Sequence, residues 1–256
     1  QYIRDSWLKA MAEMDSEQRA TWEAIYDKKN EEFLKNPPVG KDLLRWKYQR
    51  YVKEYCRTIR SVDEQVGRLL DYLEEKGVLD NTVIVYTSDQ GFLLGEHGLY
   101  DKRFMYEESF RTPLIISCPS LVKNHSVCKE LVQNIDLAPT FLSLAGVEVP
   151  KEMSGRSLLP LFKNGKAENW RNELYYHPAV GSVRKHDGIR TKRYKLIHWY
   201  GEGSGNDEAI DFWELYDLKK DVMEVNNVYD NPKYVKVREV LTVQLEKLRK
   251  DVGVTE

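Results

Sequence analysis

The sequence predicts an α/β protein: part of a mixed sheet flanked by helices, followed by a small subdomain with an antiparallel sheet and a helix. Three observations carry this. Tyr55, Ile59, Val62, Val66, Leu69 and Leu73 recur at alternating steps of four and three, the stripe of a long helix, and that helix runs into the short apolar run Thr82 to Thr87. A second run, Pro113 to Cys118, is again followed by a helix pattern from Leu137 to Ala145. Beyond Phe162 the pattern changes to short aromatic or β-branched runs separated by turns.

Taken in order, Tyr2 to Lys53 is rich in Lys, Glu, Trp and Tyr and broken at Asn36-Pro37-Pro38, which predicts two helices around a proline turn. The long helix that follows is expected to bury its apolar stripe and to stop at Lys76-Gly77, because glycine takes the left-handed conformation that closes a helix. Asp80-Asn81 forms a turn, and the two apolar runs are expected to be strands buried on both faces. Asp136 is placed to cap the helix from Leu137, with Pro139 in its first turn and Gly146 at its end. Glu173 to His177, Gly188 to Thr191, Tyr194 to Tyr200 and Trp213 to Leu218 predict the antiparallel sheet, and Asn231-Pro232 opens a last helix. The domain expectation is therefore 1–165 for the α/β core part and 166–256 for the α+β subdomain.

Composition limits the function classes. The chain of 256 residues carries 39 basic and 41 acidic side chains, a formal charge of -2, with no long block of one sign, so the footprint of a nucleic-acid binder is missing. No apolar run is long enough to span a bilayer, and Gln1 begins no signal-peptide pattern, so the start reads as a fragment or processed end. Cys56, Cys118 and Cys128 are too few and too irregular for a disulfide framework or zinc cluster, though one Cys118–Cys128 bridge stays open.

The chemistry concentrates in TSDQGFLLGEHGLYDK, Thr87 to Lys102. Ligands of open α/β sheets gather beyond the carboxyl ends of strands, where Ser88-Asp89-Gln90-Gly91 falls. Asp89 and Gln90 bring adjacent hard oxygens of the kind calcium or magnesium takes, too few for a complete shell. Gly91, Gly95 and Gly98 do not have phosphate-loop spacing, which disfavours a nucleotide site. The loop delivers His97, able to move a proton, and Lys102, a compact cation for an oxyanion. On these residues alone two readings stand: a metal and anion site, or a capped turn with a loop histidine and a solvated lysine.

Read whole, TSDQGFLLGEHGLYDKRFMYEESFRTP resembles the second signature region of type I sulfatases, formylglycine-dependent members of the alkaline-phosphatase-like superfamily. The likeness continues in SVDEQVGRLLDYLEEKGVLDNTVIVYTSD before it, in NIDLAPTFLSLAGVEVP and GRSLLPL after it, and in GIRTKRYKLI and WELYDLKKD, covering about Arg57 to Asp230. The resemblance implies an alkaline-phosphatase-like sheet, a calcium ion held in part by Asp89 and Gln90, and sulfate binding by Lys102, with a catalytic part for His97. Arg111, in YEESFRTP, is expected to take a structural part, holding the loop against Glu107 or Glu108. Tyr175-Tyr176-His177 and Val183 to Gly188 resemble carbohydrate sulfatases acting on 6-O-sulfated N-acetylglucosamine of glycosaminoglycans, which makes His177, Arg184 and His186 substrate-facing candidates.

The family nucleophile, a formylglycine made within Cys/Ser-x-Pro-x-Arg, has no match here; Cys118-Pro119-Ser120 puts Cys and Pro side by side and no Arg follows. The resemblance thus implies the C-terminal half of a sulfatase, inactive alone, whose partners are a sulfated carbohydrate and the missing N-terminal half, working outside the cytoplasm. A phosphodiesterase or phosphonate monoester hydrolase of the same superfamily, or a noncatalytic carbohydrate-binding module, are the alternatives.

Overall fold

A computed structural model describes residues 2–177, 185–201 and 209–254. The chain divides into two compact units, 1–69 and 70–256.

The first unit is helical. The helices are α1 (Tyr2–Glu13), α2 (Ser16–Lys35) and α3 (Gly40–Glu75): the one expected before the proline turn is divided in two, and the one expected after it is continuous with the long helix. Asp15 makes the additional break: its carboxylate accepts from the Gln18 backbone while the Gln18 side chain accepts from the Asp15 N–H, a capping box that starts α2. Phe33 stacks on Trp46 at 4.2 Å, and Tyr26 donates to Glu54 at 2.8 Å, tying α2 to α3. The apolar stripe of α3 is not buried, contrary to expectation: no residue of the helix is buried, and Ile59, Val62 and Leu69 are about half exposed. Periodicity shows that a face is built to be covered, not that this chain covers it.

The second unit opens at the end of α3. Gly77, at φ +66°, lets the Val78 N–H reach the Leu73 carbonyl at 3.0 Å, the expected glycine closure. The expected strands are β1 (Ile84–Thr87) and β4 (Leu114–Ser117), which pair antiparallel with Ile84 opposite Ser117. They are not buried on both faces, since Tyr86 and Ile115 are exposed. Among the described residues this sheet has two strands, and Tyr86 and Ile115 stay 40% and 64% exposed. Between them lie the short strands β2 (Leu93–Leu94) and β3 (Tyr100–Asp101) and the turn of helix α4 (Glu107–Phe110).

Helices α5 (Leu137–Leu144) and α6 (Leu159–Phe162) follow. Asp136 makes no side-chain cap on α5, again unlike expectation. Its buried carboxylate accepts instead from the Gln133 and Arg156 backbone N–H groups at 2.8 Å and pairs with the Arg171 guanidinium, so it ties three segments together. All three cysteines are free.

The antiparallel sheet was legible strand by strand: β5 (Glu173–Tyr176), β6 (Lys185–Thr191), β7 (Tyr194–Gly201) and β8 (Ile210–Asp217), in sequential order. Ile189, Leu196 and Leu215 on one face pack with Leu241 and Leu245 of α7 (Val235–Asp251). On the other face, Ile197, Trp199 and Tyr216 enclose Met105, which comes from the loop after β3. That contact joins the C-terminal sheet to the loop carrying the candidate site.

Candidate active site

The Asp89-Gln90 segment leaves the end of β1 under tight restraint. Thr87 donates to the Pro113 carbonyl at 2.8 Å, and Ser88 Oγ donates to the Gln90 carbonyl at 2.7 Å. Asn134 Nδ2 donates to the carbonyls of both Ser88 and Asp89, at 3.1 and 3.0 Å. The Gly91 N–H donates to Ser109 at 2.8 Å, and here glycine is obligatory for space: a Cβ would lie 2.0 Å from the Glu108 carbonyl oxygen. The Asp89 carboxylate is exposed, touched by the Ser88 hydroxyl at 3.3 Å and, among the described residues, in no ion pair.

Lys102 is delivered by a strained turn. Asp101 and Arg103, the residues on either side of it, have φ +80° and +98°, a region that side chains with a Cβ avoid at roughly 1–3 kcal/mol each. Such strain persists only where surrounding contacts overdetermine it. Here Leu93, fully buried, pairs with Asp101 across β2 and β3, and the Arg103 N–H donates to Ser109 Oγ at 3.2 Å. Lys102 Nζ itself makes no hydrogen bond among the described residues; its nearest acid is Asp101 at 4.0 Å. A half-exposed ammonium held this way is available to an anion.

The loop beyond Lys102 is anchored by a buried ion cluster. The fully buried Lys195 of β7 donates to the Met105 carbonyl at 2.6 Å and pairs with Glu224 at 2.7 Å and Glu107 at 2.9 Å. Glu107 also pairs with Arg190 at 3.2 Å, and its N–H donates to Glu224 at 2.6 Å. Burial works to raise the Glu107 carboxyl, but Lys195 and Arg190 outweigh it and hold it below the usual range. For Glu224 burial wins over Lys195 and the carboxyl is raised. Beside this cluster, Tyr106 donates to Glu214, which also accepts from Trp199 Nε1 at 2.8 Å; burial, reinforced by Glu214, raises the Tyr106 hydroxyl.

Asp89, Gln90, Lys102 and His177 line one cleft of about 1460 Å³, with Arg111 and Arg190 on its wall. The cleft therefore gathers both expected metal oxygens, the expected sulfate-binding lysine and one of three substrate-facing candidates. His97 is not on its wall. Its ring stacks on Tyr106 at 4.1 Å, and Nε2 faces Glu108 Oε2 at 3.6 Å, so in this chain it packs the loop from behind. His186 is off the cleft too: it is fully buried between Trp199 and Tyr176, at 4.3 and 5.1 Å, because alternation along β6 turns it into the sheet's packed face. Arg184 lies outside the described residues. Arg111 does not bind Glu107 or Glu108 as expected; Lys195 and Arg190 take Glu107, His97 faces Glu108, and Arg111 is left exposed on the cleft. Sequence reading missed Asn134, although its place at the head of NIDLAPT, just before a helix, was the available signal.

As a cation site the arrangement is partial. Asp89 and Gln90 present hard oxygens of the right chemistry, but among the described residues no three His, Cys, Asp or Glu side chains gather to hold a metal. These two residues fit as one side of a coordination shell.

The architecture matches the alkaline-phosphatase-like fold of sulfatases. A solved structure described as being in complex with its substrate D-glucosamine-2-N,6-O-disulfate shares 48% identity with this chain at TM-score 0.84, covering 94% of this chain and 48% of that one. A phosphonate monoester hydrolase from Agrobacterium radiobacter is more distant, at 26% identity and TM-score 0.63 over 75% of this chain and 40% of that one. The sulfatase family model matches residues 9–147, and that of the N-sulphoglucosamine sulphohydrolase C-terminal region matches residues 95–251. The chain belongs to the sulfatase family. It is 49% identical over 243 residues to an N-acetylglucosamine-6-O-sulfatase of Bacteroides thetaiotaomicron, covering 93% of this chain and 42% of that protein. The chain thus spans less than half the length of these relatives.

Proposed function

We propose that this chain is the C-terminal portion of a sulfuric ester hydrolase that removes sulfate from a sulfated carbohydrate, with 6-O-sulfated N-acetylglucosamine of a glycosaminoglycan as the substrate. The observation that carries this reading is the convergence of Asp89, Gln90 and Lys102 on one cleft, with Lys102 aimed by strained backbone on both sides. Asp89 and Gln90 would hold part of the shell of a divalent cation, calcium in this reading, which supplies positive charge to the sulfuryl oxygens when bound. Lys102 binds the sulfate and neutralises charge that builds on its oxygens as the ester bond breaks. His177, at the mouth of β5, orients the sugar from the cleft wall, and Arg111 contributes a second cation there.

The formylglycine nucleophile and the remaining metal ligands belong to the other half of the enzyme, so the segment alone is inactive. Residues 1–165 complete the core with that half, and 166–256 form the subdomain that shapes the pocket. The exposed stripe of α3 and the outer side chains of β1 and β4 support this reading, because they are apolar surface that a larger core would cover. From the family likeness we place the enzyme outside the cytoplasm. Separately, among the described residues no helix is long and apolar enough to cross a membrane.

A second reading, hydrolysis of phosphonate monoesters, is favoured by the likeness to such an enzyme. The longer protein, assayed with N-acetylglucosamine 6-sulfate and with a phenyl phosphonate ester in excess calcium, distinguishes them. Sulfate release is expected to dominate; faster phosphonate turnover, or turnover of neither, would overturn the proposal.

A further inference from the structure

The Asn134 amide stands at a junction between a rigid platform and the segment that carries Asp89 and Gln90. The platform is built without reference to that segment. The Asp136 N–H donates to the Gln133 carbonyl at 3.0 Å, its carboxylate accepts from the Gln133 N–H at 2.8 Å, and Asp136 is clamped further by Arg171 and by the Arg156 N–H. Gly155 presses so close that a Cβ there would lie 1.9 Å from the Ile135 carbonyl oxygen. Asn134, the first residue of the 3-10 turn Asn134–Asp136, inherits this fixed position.

From it, one NH2 group reaches two consecutive carbonyls, Ser88 at 3.1 Å and Asp89 at 3.0 Å. Both partners are acceptors, so only the amide nitrogen can face them. Two successive carbonyls converge on one donor only if the peptide planes around Asp89 are rotated in a particular way, and those planes set the direction of its Cα–Cβ bond. Without the amide, the Ser88 hydroxyl and the Gly91 N–H still hold the ends of the segment, but the Asp89 peptide is free to turn.

We infer that Asn134 is a positioning residue for the cation site, transmitting the rigidity of the platform to Asp89 and Gln90. This rests on the proposal that these two hold a divalent cation. Groups that orient metal ligands from outside the coordination shell typically govern affinity by roughly 10–100-fold, and that is the range expected here. Because Asn134 is itself exposed, replacing it removes its donors without opening a core.

The test is calcium titration by calorimetry of the longer protein, stripped of metal, as wild type, Asp89→Ala and Asn134→Leu. Asn134→Leu is expected to weaken calcium binding about 10–100-fold, to melt at the wild-type temperature without calcium, and to regain kcat when calcium is saturating. Wild-type affinity in Asn134→Leu, with binding lost in Asp89→Ala, would overturn the inference and leave the cation site standing. No calcium binding by the wild type would overturn both. A variant whose kcat stays low at saturating calcium would also overturn it, since the defect would then lie elsewhere than in binding the ion.

Discussion

Replacing Lys195 by methionine removes a cation that is fully buried and satisfied by three oxygens, those of Met105, Glu107 and Glu224 at 2.6 to 2.9 Å. Glu107 keeps Arg190, but Glu224, 1% exposed, keeps among the described residues only the Glu107 N–H. Breaking a buried pair by removing one partner costs about 3–5 kcal/mol. The loss appears as a lowered Tm of the longer protein, by less per kcal/mol than the about 2–4 °C of a domain of 150–250 residues. The sign with pH is fixed as well. Burial already raises the Glu224 carboxyl against the opposition of Lys195, and without Lys195 it rises further. A group whose folded pKa is raised binds its proton more tightly in the folded state, so the deficit of the variant shrinks as pH falls toward 5 and grows as pH rises. Adding Glu224→Gln removes the stranded charge and recovers part of the loss. Thermal denaturation of the longer protein followed by circular dichroism measures all three. A single variant within about 1 kcal/mol of wild type, or a double variant no better than the single, would refute the reasoning.

Three further changes probe other contacts. Gly91→Ala places a methyl on the Glu108 carbonyl and must push the Asp89-Gln90 segment away; activity and calcium affinity fall together, with a stability cost of about 1–3 kcal/mol read by urea denaturation. Asp136→Asn leaves the buried Arg171 guanidinium without its charge partner, and a loss of about 3–5 kcal/mol is expected in the same measurement. Asp217 is held below the usual carboxylate range by hydrogen bonds from Arg193, despite its burial. The stability it adds is therefore complete above its unfolded value of about 3.9 and is lost as pH falls through the lower folded value. Asp217→Asn should melt below wild type at pH 7, with the gap closing below about pH 4.

What the sequence revealed, and what it hid, follows from how far each signal acts. Alternation is local, and β5 to β8 follow from their own residues and turns. Gly77 closed α3 as expected because a positive φ is a property of one residue. The strand-end position of Asp89 and Gln90 was legible for the same reason, and motif likeness supplied Lys102. Pairings across long stretches of chain were not legible. Glu107 meets Lys195 of β7, 88 residues away along the sequence, so nothing near Arg111 signalled that its expected partner was taken. His186 was a substrate-facing candidate by motif likeness, which does not say which face of a strand a residue takes, and one step along a strand reverses the face. The apolar stripe of α3 reported an intention to be covered that this length of chain does not fulfil.

Whether Lys102, Asp89 and Gln90 form part of one sulfate-cleaving site is decided by Lys102→Met in the longer protein. Lys102 is half exposed and makes no hydrogen bond among the described residues, so the fold does not depend on it. The kcat/KM for N-acetylglucosamine 6-sulfate is expected to fall by about 10²–10³ with Tm unchanged. Turnover at the wild-type rate would contradict it.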